Sequence, residues 1–124
     1  MSTSSQRLVG IRGAITVDED NAETIVEATR ELLEVIIDRN SLAHADIVSI
    51  LFTSTPDLTA EFPAVGARRL GLNDVPLLCA QEIEVPGAVA GCIRALVHAY
   101  AGADRAVRHV YLRGARELRD DLAE

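Results

Sequence analysis

Apolar residues alternate with polar or small ones at the start of the chain, and the period then lengthens. Over residues 7–17, Val9, Ile11, Ile15 and Val17 fall on one side, and Leu8, Gly10, Arg12, Ala14 and Thr16 on the other. A period of two predicts a strand. In the next segment Ile25, Ala28, Leu32, Leu33 and Ile36 form one stripe, with Glu23, Glu27, Arg30, Glu31, Glu34 and Asp38 outside it. That spacing predicts an amphipathic helix from a cap at Asp20 or Asn21 to about Arg39, with Glu23 placed for a capping box on Asp20. Residues 46–55 predict a second strand, 63–70 a short helix closed by Gly71, and 75–84 a third strand. Residues 87–101 read as a second long helix ended by Gly102, with Val89, Cys92, Ile93, Leu96 and Tyr100 on its core stripe. Residues 107–113 predict a last strand in which Tyr111 shares a face with His109 and Arg113.

The predicted order is β-α-β-α-β-α-β, which one sheet with helices packed on one face accommodates. The other face then carries Arg12 among small residues, together with Tyr111. Such a face is either solvated or buried against another subunit.

Composition narrows the function more than the fold. The 124 residues suit one domain spanning 1–124, with 1–6 a polar N-terminal tail and 120–124 a short C-terminal tail. At 48% hydrophobic and 25% charged residues a packed core is expected, but with 3% aromatics it must be aliphatic. So few aromatics also exclude a base-stacking platform for single-stranded nucleic acid. The formal net charge of −7 argues against nucleic-acid and anionic-membrane partners. An anionic ligand would need a locally basic site. The two cysteines, Cys79 and Cys92, form no CxxC pair, and His44, His98 and His109 do not cluster, so no metal site is expected. The polar start lacks an apolar signal core and no run approaches membrane-spanning length, which points to a reduced, cytoplasmic protein.

The candidate chemistry is sparse. The Arg12 guanidinium is a planar fork that fits a carboxylate, and equally reads as a solvated strand arginine; Gly10 and Ala14 leave room beside it. Glu82 reads as a hydrogen-bond acceptor or general base, against a plain solubilising charge at a strand end. Arg94 reads as a ligand contact beside small Ala90 and Gly91, against a surface ion pair. Cys79 is more ordinary as a small buried hydrophobe than as a nucleophile. Tyr111 is a core tyrosine with a tethered hydroxyl or a ligand-facing one. Ser54 has no nucleophile elbow around it, and no glycine-rich phosphate loop is present. Arginines and neutral donors remain. That set suits a reaction driven by binding, shape and electrostatics.

Six short segments together resemble the monofunctional chorismate mutases of the Bacillus type: Gly10-Ile-Arg-Gly-Ala14, Ser54-Thr-Pro-Asp-Leu58, Phe62-Pro-Ala64, Cys79-Ala-Gln-Glu82, Cys92-Ile-Arg94 and Arg108-His-Val-Tyr-Leu112. The resemblance runs from about Arg7 to Leu122. It implies an α+β fold with a mixed β-sheet, forming a pseudo-α/β barrel in a homotrimer with active sites at the subunit clefts. It implies the rearrangement of chorismate to prephenate, in phenylalanine and tyrosine synthesis, without a cofactor. Carried over by position, Arg12 and Tyr111 would hold the side-chain carboxylate of the substrate and Arg94 would face the breaking ether bond. Glu82 would accept from the ring hydroxyl, with Cys79 beside it. From the adjacent subunit Phe62, Ala64 and Leu118 would wall the pocket, and Arg68 and Arg119 would guide the ring carboxylate. Val65 departs from an expected lysine and Leu78 from a small polar residue. In a regular strand Cys79 and Glu82 point to opposite faces, so their sharing one ligand requires a bend or strand end near Ala80-Gln81. Two other readings share parts of this set: a trimeric imine or enamine deaminase, and a non-catalytic binder of an aromatic-pathway acid.

Overall fold

The computed structural model describes residues 6–118. The elements run β1 (Gln6–Thr16), α1 (Ala22–Arg39), a 3₁₀ turn (His44–Asp46), β2 (Ile47–Ser54), α2 (Ala64–Arg69), β3 (Leu77–Gln81), β4 (Cys92–Gly102), β5 (Val110–Leu112) and a 3₁₀ turn (Arg113–Glu117). The strands form one mixed sheet in the order β3-β2-β4-β1-β5. Central β4 is antiparallel to β1 and β2, while the outer pairs β2–β3 and β1–β5 are parallel.

The first helix is as its pattern dictates. Asn21 is its cap, accepting from the Thr24 N–H at 2.8 Å. Asp20 does not cap. Its carboxylate accepts from the Thr59 N–H and hydroxyl and from the Ala60 N–H, tying the loop after β2 to the helix start. Ile25, Leu32, Leu33 and Ile36 are fully buried, each contributing about 1.5–3 kcal/mol relative to exposure. The short α2 rides on α1 at Gly66, where a Cβ would come within 2.8 Å of the Val26 carbonyl oxygen. Gly71, at φ 97, stops α2.

Residues 87–101 are not a helix. Residues 82–91 form a loop, and β4 begins at Cys92. In the strand, Ile93, Ala95, Val97 and Ala99 enter the core, whereas Arg94, Leu96, His98 and Tyr100 point the other way. The helical stripe of Val89, Cys92, Ile93, Leu96 and Tyr100 therefore does not exist. Alanines and apolar residues on both sides blur the alternation, and pairing on both edges overrides their helical propensity. β3 ends at Gln81 rather than at residue 84, and β5 is three residues long rather than seven.

The sheet face away from the helices is ordered by register into rows. One row is Leu78, Leu51, Leu96 and Arg12. The next is Ala80, Thr53, Arg94, Ala14 and Tyr111. Leu8, Leu51 and Tyr100 are exposed on this face.

Candidate active site

Arg94 enters its position through a fixed sequence of backbone contacts. Gly91, at φ 60, donates its N–H to Asp57 Oδ2 at 2.9 Å and accepts from the Val17 N–H at 2.8 Å. A Cβ there would lie 2.7 Å from the Val17 carbonyl oxygen, so only glycine turns the loop into β4 at this point. Cys92 N–H then donates to Thr55 Oγ1, and two residues later Arg94 emerges on the open face. Its Nε donates to Glu82 Oε2 at 2.8 Å, and Thr53 Oγ1 donates to the same oxygen at 2.5 Å. Glu82 falls on that face by alternation, two residues beyond Ala80, and its N–H is held by the Ser54 carbonyl just past the end of β3. One carboxylate oxygen of Glu82 is thus held by both Arg94 and Thr53.

A cavity of about 350 Å³ opens beside this pair, lined by Arg12, Ala14, Leu51, Thr53, Arg94, Leu96 and Tyr111 among others. Arg12 is exposed at its rim, and no described carboxylate pairs with its guanidinium. Tyr111 is buried with Ala14, Cys92 and Ala115, with Val89 and Leu118 against them. The turn after Tyr111 is fixed by Arg113, which adopts φ 56 and bonds Glu31 Oε1 at 2.6 Å and the Thr16 carbonyl at 3.3 Å. Two arginines against one carboxylate make the cavity locally cationic on a chain of net charge −7.

The other site candidates gather elsewhere. Phe62, Ala64, Arg68 and Cys79 line a second cavity of about 320 Å³ with Leu77 and Leu78, at the free edge of β3. Cys79 stands opposite core residue Phe52 in the register, whereas Arg94 stands opposite Thr53 on the open face. No residue lines both cavities. Leu118 packs on the Tyr111 side, apart from Phe62 and Ala64. Arg119 lies outside the described residues. Val65 is half-buried on α2.

Cys92 is fully buried, and burial pushes its thiol up to about 11; Arg94 opposes the shift, and Glu82 and Asp57 reinforce it. It is a packing residue with no thiolate character near neutral pH. Among the described residues no group of histidine, cysteine and carboxylate side chains is arranged to hold a metal ion, and no helix is long and apolar enough to cross a membrane. Thr53 carries no mark in the sequence. Its only signal is its register partnership with Arg94, which a one-dimensional pattern does not carry.

Comparison with known proteins is consistent with this geometry. The family model described as chorismate mutase type I matches residues 8–122. The chain belongs to this family. It is 50% identical over 116 residues to the chorismate mutase AroH of Thermus thermophilus, covering 91% of this chain and 94% of that protein. To the Bacillus subtilis (strain 168) chorismate mutase AroH it is 43% identical, covering 92% and 91%. The solved chorismate mutase from Clostridium thermocellum superposes with a TM-score of 0.83 at 43% identity, covering 88% of this chain and 98% of that one. As a type I chorismate mutase chain, it carries the family's α+β fold with a mixed sheet.

Proposed function

We propose that this protein is a cytoplasmic chorismate mutase, converting chorismate to prephenate at sites shared between the subunits of a homotrimer. The carrying observation is the open-face row that sets Thr53, Arg94, Ala14 and Tyr111 side by side, with Arg12 one row away around a single cationic cavity. Chorismate has two carboxylates and a ring hydroxyl, so it needs cations at two places and an acceptor at a third.

In the reading we favour, Arg12 and the Tyr111 hydroxyl hold the side-chain carboxylate, and Glu82 accepts from the ring hydroxyl. The Arg94 Nη groups face the ether oxygen. One C–O bond breaks as one C–C bond forms within the same molecule, so no acid, base, nucleophile or cofactor is required. Holding the carboxylate and hydroxyl together selects the compact conformer, a positioning effect. Arg94 stabilises the negative charge that grows on the ether oxygen, and its pairing with Glu82 orients it before the substrate arrives.

The remaining candidates form the complementary half. Phe62, Ala64, Arg68 and Cys79 occupy a separate edge of the chain, so they reach the Arg12 cavity from a neighbouring subunit. Cys79 then approaches the ring hydroxyl from across the cleft, and the same-chain conflict between Cys79 and Glu82 disappears. Leu118 belongs to the Tyr111 half, and Arg68 and Arg119 guide the ring carboxylate. The exposed Leu8, Leu51 and Tyr100 give the open face its apolar reason to be covered. The test is the loss of chorismate ultraviolet absorbance on adding purified protein. Acceleration over the spontaneous rate is expected, and its absence overturns the reading.

A further inference from the structure

The site description makes no use of His109. β5 pairs with β1 only from Gly13 opposite Val110 to Ile15 opposite Leu112. The Arg12 N–H therefore lies just beyond the ladder, where no β5 backbone is paired to receive it. His109, the residue before β5, fills the gap with its side chain: Nδ1 accepts from the Arg12 N–H at 3.0 Å. The ring extends the parallel sheet by one hydrogen bond at the residue whose guanidinium rims the cavity.

The backbone on the other side of that ring is equally fixed. Buried Asn40, at the end of α1, accepts from the Arg108 N–H and donates to the Arg108 carbonyl, each at 2.9 Å, and also donates to the Ile36 carbonyl. Two residues on from His109 is Tyr111. A single short segment thus carries the phenol of the site and, through the imidazole, holds the strand that carries Arg12. Without the hydrogen bond the Arg12 N–H has no strand partner, and the spacing between guanidinium and phenol is set only from the Ala14–Tyr111 pair onward.

We infer that His109 is a positioning residue that fixes the backbone of Arg12 against Tyr111, and so sets the grip on the ligand carboxylate. The inference rests on the reading of Arg12 and Tyr111 as a carboxylate clamp. An acceptor at the Nδ1 position is what matters, so asparagine, whose Oδ1 falls nearby, replaces histidine, whereas leucine fills the space and accepts nothing.

The test is steady-state kinetics on chorismate with the full-length protein and its His109→Leu and His109→Asn variants, alone and combined with Arg12→Ala. Thermal unfolding runs in parallel. His109→Leu is expected to raise KM about three- to tenfold, the worth of one hydrogen bond, with kcat changed less. His109→Asn should return KM to within about twofold of wild type. In the Arg12→Ala background His109→Leu should add no further loss, because the two act as one unit. The inference is overturned if His109→Leu lowers thermal stability while leaving KM unchanged, if asparagine is no better than leucine, or if the penalties multiply with Arg12→Ala. A wild-type protein that does not accelerate chorismate loss overturns the clamp reading itself, which separates the two failures.

Discussion

Arg94 carries more of the proposed chemistry than any other side chain, and its geometry makes its replacement predictable. Nε is committed to Glu82, which leaves the planar fork of Nη donors for a ligand atom, a geometry that an ammonium does not reproduce. Arg94→Ala should lose roughly 10²–10³-fold in kcat, about 3–4 kcal/mol of transition-state stabilisation, as for a single preorganised oxyanion donor. Arg94→Lys should recover little, because an ammonium is a point charge without the fork. Equal rates for wild type and Arg94→Ala, followed by chorismate absorbance, would contradict the role. At this scale the sequence exposes the residue types but not their company. Arg12, Arg94 and Tyr111 are legible as candidates. Thr53 is not, because a threonine in a strand has no chemical signature until its register partner is known.

Strands and helices differ in how openly they are written. α1 is legible because one face is apolar and the other charged, with a cap at Asn21. β4 reads wrongly as a helix because most of its residues are buried or half-buried on both faces and its alanines suit either conformation. Asp20 shows the same contrast on a smaller scale: the capping pattern is visible, but its partner loop is not. Desolvation pushes the Asp20 carboxyl up, yet the three hydrogen bonds from Thr59 and Ala60 outweigh it and hold it below its ordinary 3.8. A depressed folded-state value stabilises the fold fully above the unfolded value and loses that contribution as pH falls through the folded one. Asp20→Asn should therefore lower Tm at neutral pH, and its gap to wild type should close as the pH drops below about 3.8. A gap that stays constant down the acid limb, followed by circular dichroism, would rule out the charged tie.

At the scale of the whole molecule, the division of site residues between two separate cavities argues for assembly. In the proposed assembly, a head-to-tail interface that closes into a ring would place one subunit's β3 edge on another's open face. Light scattering should give a trimer, and a stable, active monomer would contradict the shared site. A subunit-mixing experiment is sharper. Arg94→Ala damages one half and Arg68→Ala the other, and each trimer alone should be impaired. Dissociated together and reassembled, random assortment leaves about a quarter of the sites intact, so activity should return above that of either variant. No recovery would place both halves in one chain. The sequence by itself determined the residue types for binding a dicarboxylate, the amphipathic first helix, the strand carrying Arg12 and the family, because these follow from local periodicity and short ordered motifs. Only the tertiary structure decided that Arg94 stands on a central strand in one row with Ala14 and Tyr111, that Thr53 and Glu82 hold it, and that Cys79 lies apart. Those are facts of strand register, and register is set by pairing between segments distant in the chain, where no local pattern reaches.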